Sequence, residues 1–329
     1  MLTRRSALRF AMAGPVLTNP WVASALAQER YPDQPVKLIV TFPPGGPADI
    51  TGRLVARVLG DRLRQSFVVD NRTGASGTIG LGALAQSRPD GYTLAIGAGG
   101  ALTMLPHMMA KMPFDVQRDF QPITLVMSVP QVLSVRRNLG VKTLDELLEM
   151  ARARPGKISY GSSGHGASLH LATELFKLRV GGLDIIHIPY RGVAPALTDL
   201  MGGQIDMLFG DIPVMLPQIQ AGTIVPLAVT AKERAVVLPN IPTMLELGIK
   251  DAEAESFYGL LGPAGMAADR VRILHDALAG ALREPETRKI LIDQGGIVVG
   301  NTPEEFAAYI VAENRKWGDV IRLANVSMQ

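Results

Sequence analysis

Cysteine is absent from the 329 residues. That excludes disulfides, thiolate metal sites, cysteine nucleophiles and a lipid anchor on a cleavage-site cysteine. Aromatic residues are few, at 5%, and no long run of one charge sign occurs. Charged residues make up only 19% against 47% hydrophobic ones, which excludes a disordered chain. The motifs of common enzymes are missing too: there is no G-x-x-x-x-G-K-[ST], no H-E-x-x-H and no G-x-S-x-G. Beyond the first residues, no stretch approaches the ~18 consecutive apolar residues of a membrane span.

The net charge of +3 belongs to the start of the chain. Residues 1–27 hold Arg4, Arg5 and Arg9 and no acid, so the remainder carries 33 less 3, or 30, basic residues against 30 acidic ones. A neutral body without a basic stripe excludes nucleic acid as a partner. The basic start, the apolar stretch from Phe10 to Leu17 and the small residues of Ala25-Leu26-Ala27 read as a signal peptide cleaved near Ala27. Arg4-Arg5 resembles a twin-arginine signal, although Ala7 stands where such signals often carry Phe, so the Tat and Sec routes both stay open.

What is plentiful is glycine (34) and proline (23), the punctuation of an α/β chain with many tight turns. The length exceeds what one core usually serves, so two domains are expected. Val36–Phe42 reads as a buried strand. Pro43-Pro44-Gly45-Gly46-Pro47 breaks it, and Ile50, Leu54, Val55, Val58 and Leu59 then recur at helical spacing. Strands are expected at Phe67–Val69 and Tyr92–Ile96, with a small-residue helix near 79–86 between them. A second α/β unit begins near Pro130, with a strand at Val132–Val135. Its helix from Thr143 to Arg154 opens with a capping box, Thr143 and Glu146. Further strands are expected at Ile158–Tyr160, Asp184–Ile188, Met207–Phe209, Ile224–Val229 and near Phe257. Helices are expected at about 168–179, 269–283, 285–294 and 303–325.

Two loops carry the chemistry. Asn71–Gly77 and Gly161–Ser168 each follow a strand, hold several glycines and open a helix. Such turns aim unpaired backbone N–H groups and a positive helix end at one point, a place for an anion that needs no lysine or arginine. A bland reading, glycine present only for tight turns, competes at either loop alone. Hydroxyls in both (Ser76 and Thr78; Ser162, Ser163 and Ser168) favour binding. Asp49 is read as a brace for its helix, because a bare carboxylate facing the site would repel an anion. Gly80-Leu81-Gly82-Ala83-Leu84-Ala85 fits a dinucleotide fingerprint loosely but falls inside the expected helix, so no nucleotide cofactor is expected. The histidines, His107, His165, His170, His187 and His275, show no metal-helix spacing, and no metal site is expected. A Ser/His hydrolase near His165 and His170 is the enzymatic alternative, without a complete catalytic set.

Several segments, in order, resemble the tripartite tricarboxylate transporter receptor family, the Bug family of periplasmic solute-binding proteins. They include Phe42-Pro43-Pro44-Gly45-Gly46-Pro47-Ala48-Asp49, Asn71-Arg72-Thr73-Gly74-Ala75-Ser76-Gly77 and Arg88-Pro89-Asp90-Gly91-Tyr92. Further on come Gly161-Ser162-Ser163-Gly164, His170-Leu171, Pro189-Tyr190-Arg191-Gly192 and Thr302-Pro303-Glu304-Glu305-Phe306. The resemblance implies a two-domain Venus-flytrap fold, each domain a mostly parallel sheet flanked by helices. Domain 1 is then 28–130 plus 254–329, and domain 2 is 131–253. It implies a periplasmic receptor, not an enzyme, that acts without cofactor or metal. As a monomer it holds a small organic carboxylate for an inner-membrane permease. A ligand-sensing partner of a signalling system would share the fold.

The residues implied to touch the ligand are Phe42, Pro43, Gly45, Gly46, Ala48 and Asp49 of the first loop and Gly74, Ala75, Ser76, Gly77 and Thr78 of the second. From the other domain come Ser162, Ser163, Gly164, Gly166, Ala167 and Ser168, joined by Tyr190, Arg191, Gly192 and Asp211. The sequence departs from the family pattern at Ser76, where Gly is common, and at Ala167, where Ser is common. It departs also at Gly210, where relatives often have Asp in a Phe-Asp step. The missing acid at 210 favours a plain carboxylate over an amino acid.

Overall fold

The computed structural model describes residues 31–327, so the leader read over 1–27 lies outside the described residues. The apolar run becomes β1 (Val36–Val40), buried except at Lys37. The proline–glycine turn stops it, and Pro47 occupies the first helical position of α1 (Pro47–Leu63), where its missing N–H costs nothing. Leu54, Val55, Val58 and Leu59 bury one face of α1. There follow β2 (Phe67–Asn71), α2 (Thr78–Ala85) and β3 (Thr93–Ala98). β1 lies between β2 and β3, parallel to both. Irregular helical turns over Gly100–Met104 and Leu105–His107 and the short α3 (Val116–Asp119) lead to β4 (Phe120–Arg136).

β4 is the long strand that joins two lobes. The second lobe adds α4 (Leu144–Ala153), β5 (Ile158–Ser162), α5 (Ser168–Arg179), β6 (Ile185–Pro189), α6 (Val193–Gly202), β7 (Met207–Asp211), α7 (Ile212–Gln220) and β8 (Ile224–Val229). The capping box expected at Thr143 and Glu146 is present in full. The chain then returns through β9 (Glu255–Pro263) and closes with α8 (Ala268–Leu282), α9 (Pro285–Asp293), β10 (Ile297–Val298) and α10 (Pro303–Leu323).

The sheet order is β2-β1-β3-β9-β4-β7-β5-β6, with β10 and β8 also on β4. The flanking strands are parallel: β1 with β2 and β3, and β5 with β6 and β7. The crossing strands are antiparallel to their neighbours, so each lobe is mixed where they pass. Residues 120–130 of β4 pair with β9, and residues 131–136 pair with β7 and β8. The strand thus begins well before Val132, where the sequence reading starts it. Pro122 and Pro130 mask its first half, and register shifts between Pro122 and Thr124 absorb the missing donor.

The core is aliphatic, as the low aromatic content requires. Leu38, Ile39, Leu59, Leu81, Leu84 and Leu94 are wholly buried, each contributing roughly 1.5–3 kcal/mol relative to exposure. α10 packs on β4 and on α5 of the other lobe, with Phe306 and Trp317 buried beneath it. Among the described residues, no helix is long and apolar enough to cross a membrane.

Candidate functional site

A cleft of about 320 Å³ opens where the two lobes meet. Most of its walls come from the carboxyl ends of strands, where open α/β sheets place ligands, and the rest from the amino end of one crossing strand. Lobe 1 supplies Phe42 beyond β1, Ser76, and the turn after β3: Ala98, Gly99, Gly100, Met104 and Leu105. Lobe 2 supplies Ser163, Gly166, Ala167, Ser168 and Asp211, and the start of β9 supplies Glu255, Ser256, Phe257 and Tyr258. A roomier concavity of about 590 Å³ lies over Pro106–Arg118 and Asn314, but lobe 2 contributes nothing to it.

The first loop frames the cleft from behind. Asp49 is buried and accepts hydrogen bonds from Gly45 N–H at 3.0 Å, Arg53 Nε at 2.9 Å and Asn71 Nδ2 at 2.9 Å. Burial pushes its carboxyl up, but those three donors outweigh it and hold Asp49 down at about 2. It is the brace expected of it. Asn71 Nδ2 also donates to Phe42 O at 3.0 Å, tying the second loop to the first. Pro43, Gly45, Gly46, Ala48 and Asp49 therefore shape the wall without lining it; of this group only Phe42 does.

The second loop is wound the wrong way for L-residues. Gly74 (φ 121°), Ala75 (φ 45°), Ser76 (φ 54°) and Gly77 (φ 95°) all have positive φ. For Ala75 and Ser76 this costs about 1 kcal/mol or more each. Ser76 alone of this loop reaches the cleft; Thr78 Oγ1 donates to Ala75 O at 2.9 Å and holds the turn. The GxGxxA stretch lies within α2, away from any strand-to-helix turn.

The third loop opens α5 with no side-chain cap on its first turn. Its uncapped N–H groups and positive end lie at the cleft wall formed by Ala167 and Ser168. Behind it stand three histidines that sequence spacing did not connect. His170 and His187 stack at 4.0 Å with planes 5° apart, and His165 lies 4.8 Å from His170. Gly166 N–H donates to His170 Nδ1 at 2.9 Å, and Ser162 Oγ is bonded to His187 Nε2 at 2.7 Å. His165, His170 and His187 place one ring nitrogen each within 4.8 Å of the others, close enough to hold a metal ion by distance alone. The directions do not suit one. Lone pairs of parallel stacked rings do not converge, and His170 Nδ1 is already occupied as an acceptor. Burial drives His170 down to about 3 and His187 to about 4, so both are neutral supports of the loop.

Ser162 and Gly164 thus serve the loop's own geometry. Tyr190, Arg191 and Gly192 do not line the cleft: Tyr190 Oη donates to Asp199 at 2.7 Å, Arg191 is exposed and Gly192 precedes α6. The sequence reading missed Ala98, Gly99, Gly100, Met104 and Leu105, at and after the end of β3, and Glu255, Ser256, Phe257 and Tyr258, at the start of β9. Gly210 does not leave the cleft short of carboxyls: among the described residues Asp211, named from the sequence, and Glu255, which was not, both line it, and no lysine, arginine or histidine does. Burial raises Asp211 to about 6, and burial likewise raises Glu255.

The Tripartite tricarboxylate transporter family receptor model matches residues 51–326. The chain is 35% identical to Protein BugT of Bordetella pertussis over 95% of its own length and 96% of that protein's. Among solved structures, R. palustris Rpa4515 with adipate superposes with a TM-score of 0.79 at 35% identity, covering 90% of this chain and 99% of that one. MatC from Rhodopseudomonas palustris with bound malate gives 0.74 at 28% identity, covering 88% and 100%. A two-lobed cleft, and likenesses that run nearly end to end, lead to one assignment: the chain belongs to the tripartite tricarboxylate transporter receptor family, whose members are solute-binding receptors and not enzymes.

Proposed function

We propose that this receptor is exported, loses its leader near Ala27, and captures a small organic carboxylate in the cleft between its lobes. Domain 1 is then 28–130 with 254–329 and domain 2 is 131–253, divided where β4 changes partners at Pro130 and Gln131. The carrying observation is that the cleft draws walls from both lobes and meets the uncapped start of α5 beside Ser163, Ser168 and Ser76. Charge-assisted hydrogen bonds from such donors contribute roughly 1.5–3 kcal/mol each to holding a carboxylate. Closing the lobes over the anion creates the shape that an inner-membrane permease reads, one receptor at a time. Adipate and malate, held by the relatives, set the size class.

The test is a thermal-shift screen of the mature chain against organic acids. An acid at 100 times its Kd stabilises the folded state by about 2.7 kcal/mol. A flat response to all mono-, di- and amino-carboxylates in the screen would reject the reading.

A further inference from the structure

The cleft has a negative pole. Asp211 closes β7 and stands at the N-cap position of α7, yet it makes no capping bond to that helix. Its Oδ1 accepts from Ser256 Oγ at 3.2 Å, and its partner across β4 in the ladder is Gln131, whose Oε1 is buried without a hydrogen bond. No cation pairs with Asp211 among the described residues. Glu255 contributes the second carboxyl and accepts from Ser128 Oγ. Lys316 stands near Glu255, but its Nζ is committed to Glu313 Oε1 at 2.6 Å and Glu253 O at 3.1 Å, and it does not line the cleft.

A dicarboxylate placed here would bring two more negative charges into about 320 Å³ that already holds two carboxyls and, among the described residues, no cationic side chain. Like charges confined in a partly dehydrated site repel strongly. A ligand with a cationic nitrogen at one end and a carboxylate at the other satisfies both poles. Resting on the carboxylate reading above, we propose that the cognate ligand is an amino-carboxylate zwitterion, its carboxylate on the amides of the Ser163–Ser168 wall and its ammonium on Asp211, with Glu255 adding negative charge to the same cleft. The two acids are then specificity determinants, selecting against the dicarboxylates that two relatives hold.

The test is calorimetry of the mature protein with a chain-matched series: norvaline, δ-aminovalerate, valerate, glutarate and pentylamine. One of the amino acids is expected to bind at least about tenfold tighter than valerate and glutarate, a difference of about 1.4 kcal/mol. Asp211→Asn should abolish that preference, and Glu255→Gln should weaken it, with circular dichroism reporting the fold of each. Glutarate binding as tightly as either amino acid, or a preference that survives both variants, overturns this inference and leaves the carboxylate reading intact. Pentylamine alone binding, or silence from every acid in the series, removes the carboxylate reading and this inference with it.

Discussion

Ser256 Oγ donates to Asp211 Oδ1 at 3.2 Å, and this bond links the second lobe to the strand by which the chain re-enters the first. It is also a weak hold on a carboxylate that burial disfavours. Asp211 rises from an ordinary 3.8 to about 6 because desolvation outweighs the bonds from Ser256 and Gln131. An acid raised on folding binds more protons in the native state, so stability falls as pH climbs from 3.8 to about 6 and the penalty stands in full above that. Asp211→Asn should therefore stabilise the ligand-free protein at neutral pH, by at most about 3 kcal/mol. Denaturant titrations at several pH values check this; an unchanged or lowered midpoint at neutral pH contradicts it.

Asp49 behaves in the opposite sense. Its carboxyl is held at about 2, so its contribution is present above 3.8 and fades as pH falls through about 2. Asp49→Ala removes the acceptor of Gly45 N–H and of Arg53 Nε and one of the two acceptors of the Asn71 amide, which keeps its bond to Phe42 O. The expected cost is about 1–3 kcal/mol of stability, with weaker ligand binding because the first loop loses the bond from Gly45 that fixes its turn. Paired thermal melts and ligand titrations read both effects.

His170 links acidity to the third loop. It is held near 3 by burial first and by His187, His165 and Lys177 after it. A histidine kept neutral in the fold stabilises it fully above 6.5, and that stability drains away as pH drops toward about 3. His170→Phe retains a stacking ring and removes the acceptor of Gly166 N–H; His170→Gln offers a replacement acceptor. The Phe variant should lose about 1–3 kcal/mol and bind ligand more weakly, while the Gln variant keeps more of both. Equal losses in the two variants would show that the bond to Gly166 is unimportant.

Gly99 lines the cleft with no side chain to spare. A methyl group there would sit 2.6 Å from the ring of Phe257. Gly99→Ala should push Phe257 off its seat, costing about 1–3 kcal/mol and lowering affinity together, as seen by melting and calorimetry on the same preparation. Full affinity in a well-folded Gly99→Ala protein would mean that the cleft tolerates a displaced Phe257.

Local pattern alone determined much of this molecule. The apolar run of β1, the helical spacing behind it and the Thr143–Glu146 capping box each depend on neighbours within a few residues, so they could be read before any fold was known. The glycine loops were legible for the same reason, and Ser76, Ser163, Gly166, Ala167 and Ser168 do reach the cleft. Tertiary structure decided the rest. Asp211 and Glu255 are 44 residues apart in sequence and line one cleft only because β7 and β9 both pair with β4 where it changes partners. His170 and His187 lie on different elements, and only the packing of α5 against the sheet stacks them. Helical and strand periodicity reports which side of a segment is apolar, whereas the sign of charge in a cleft depends on which distant strands end there, and no local pattern carries that information.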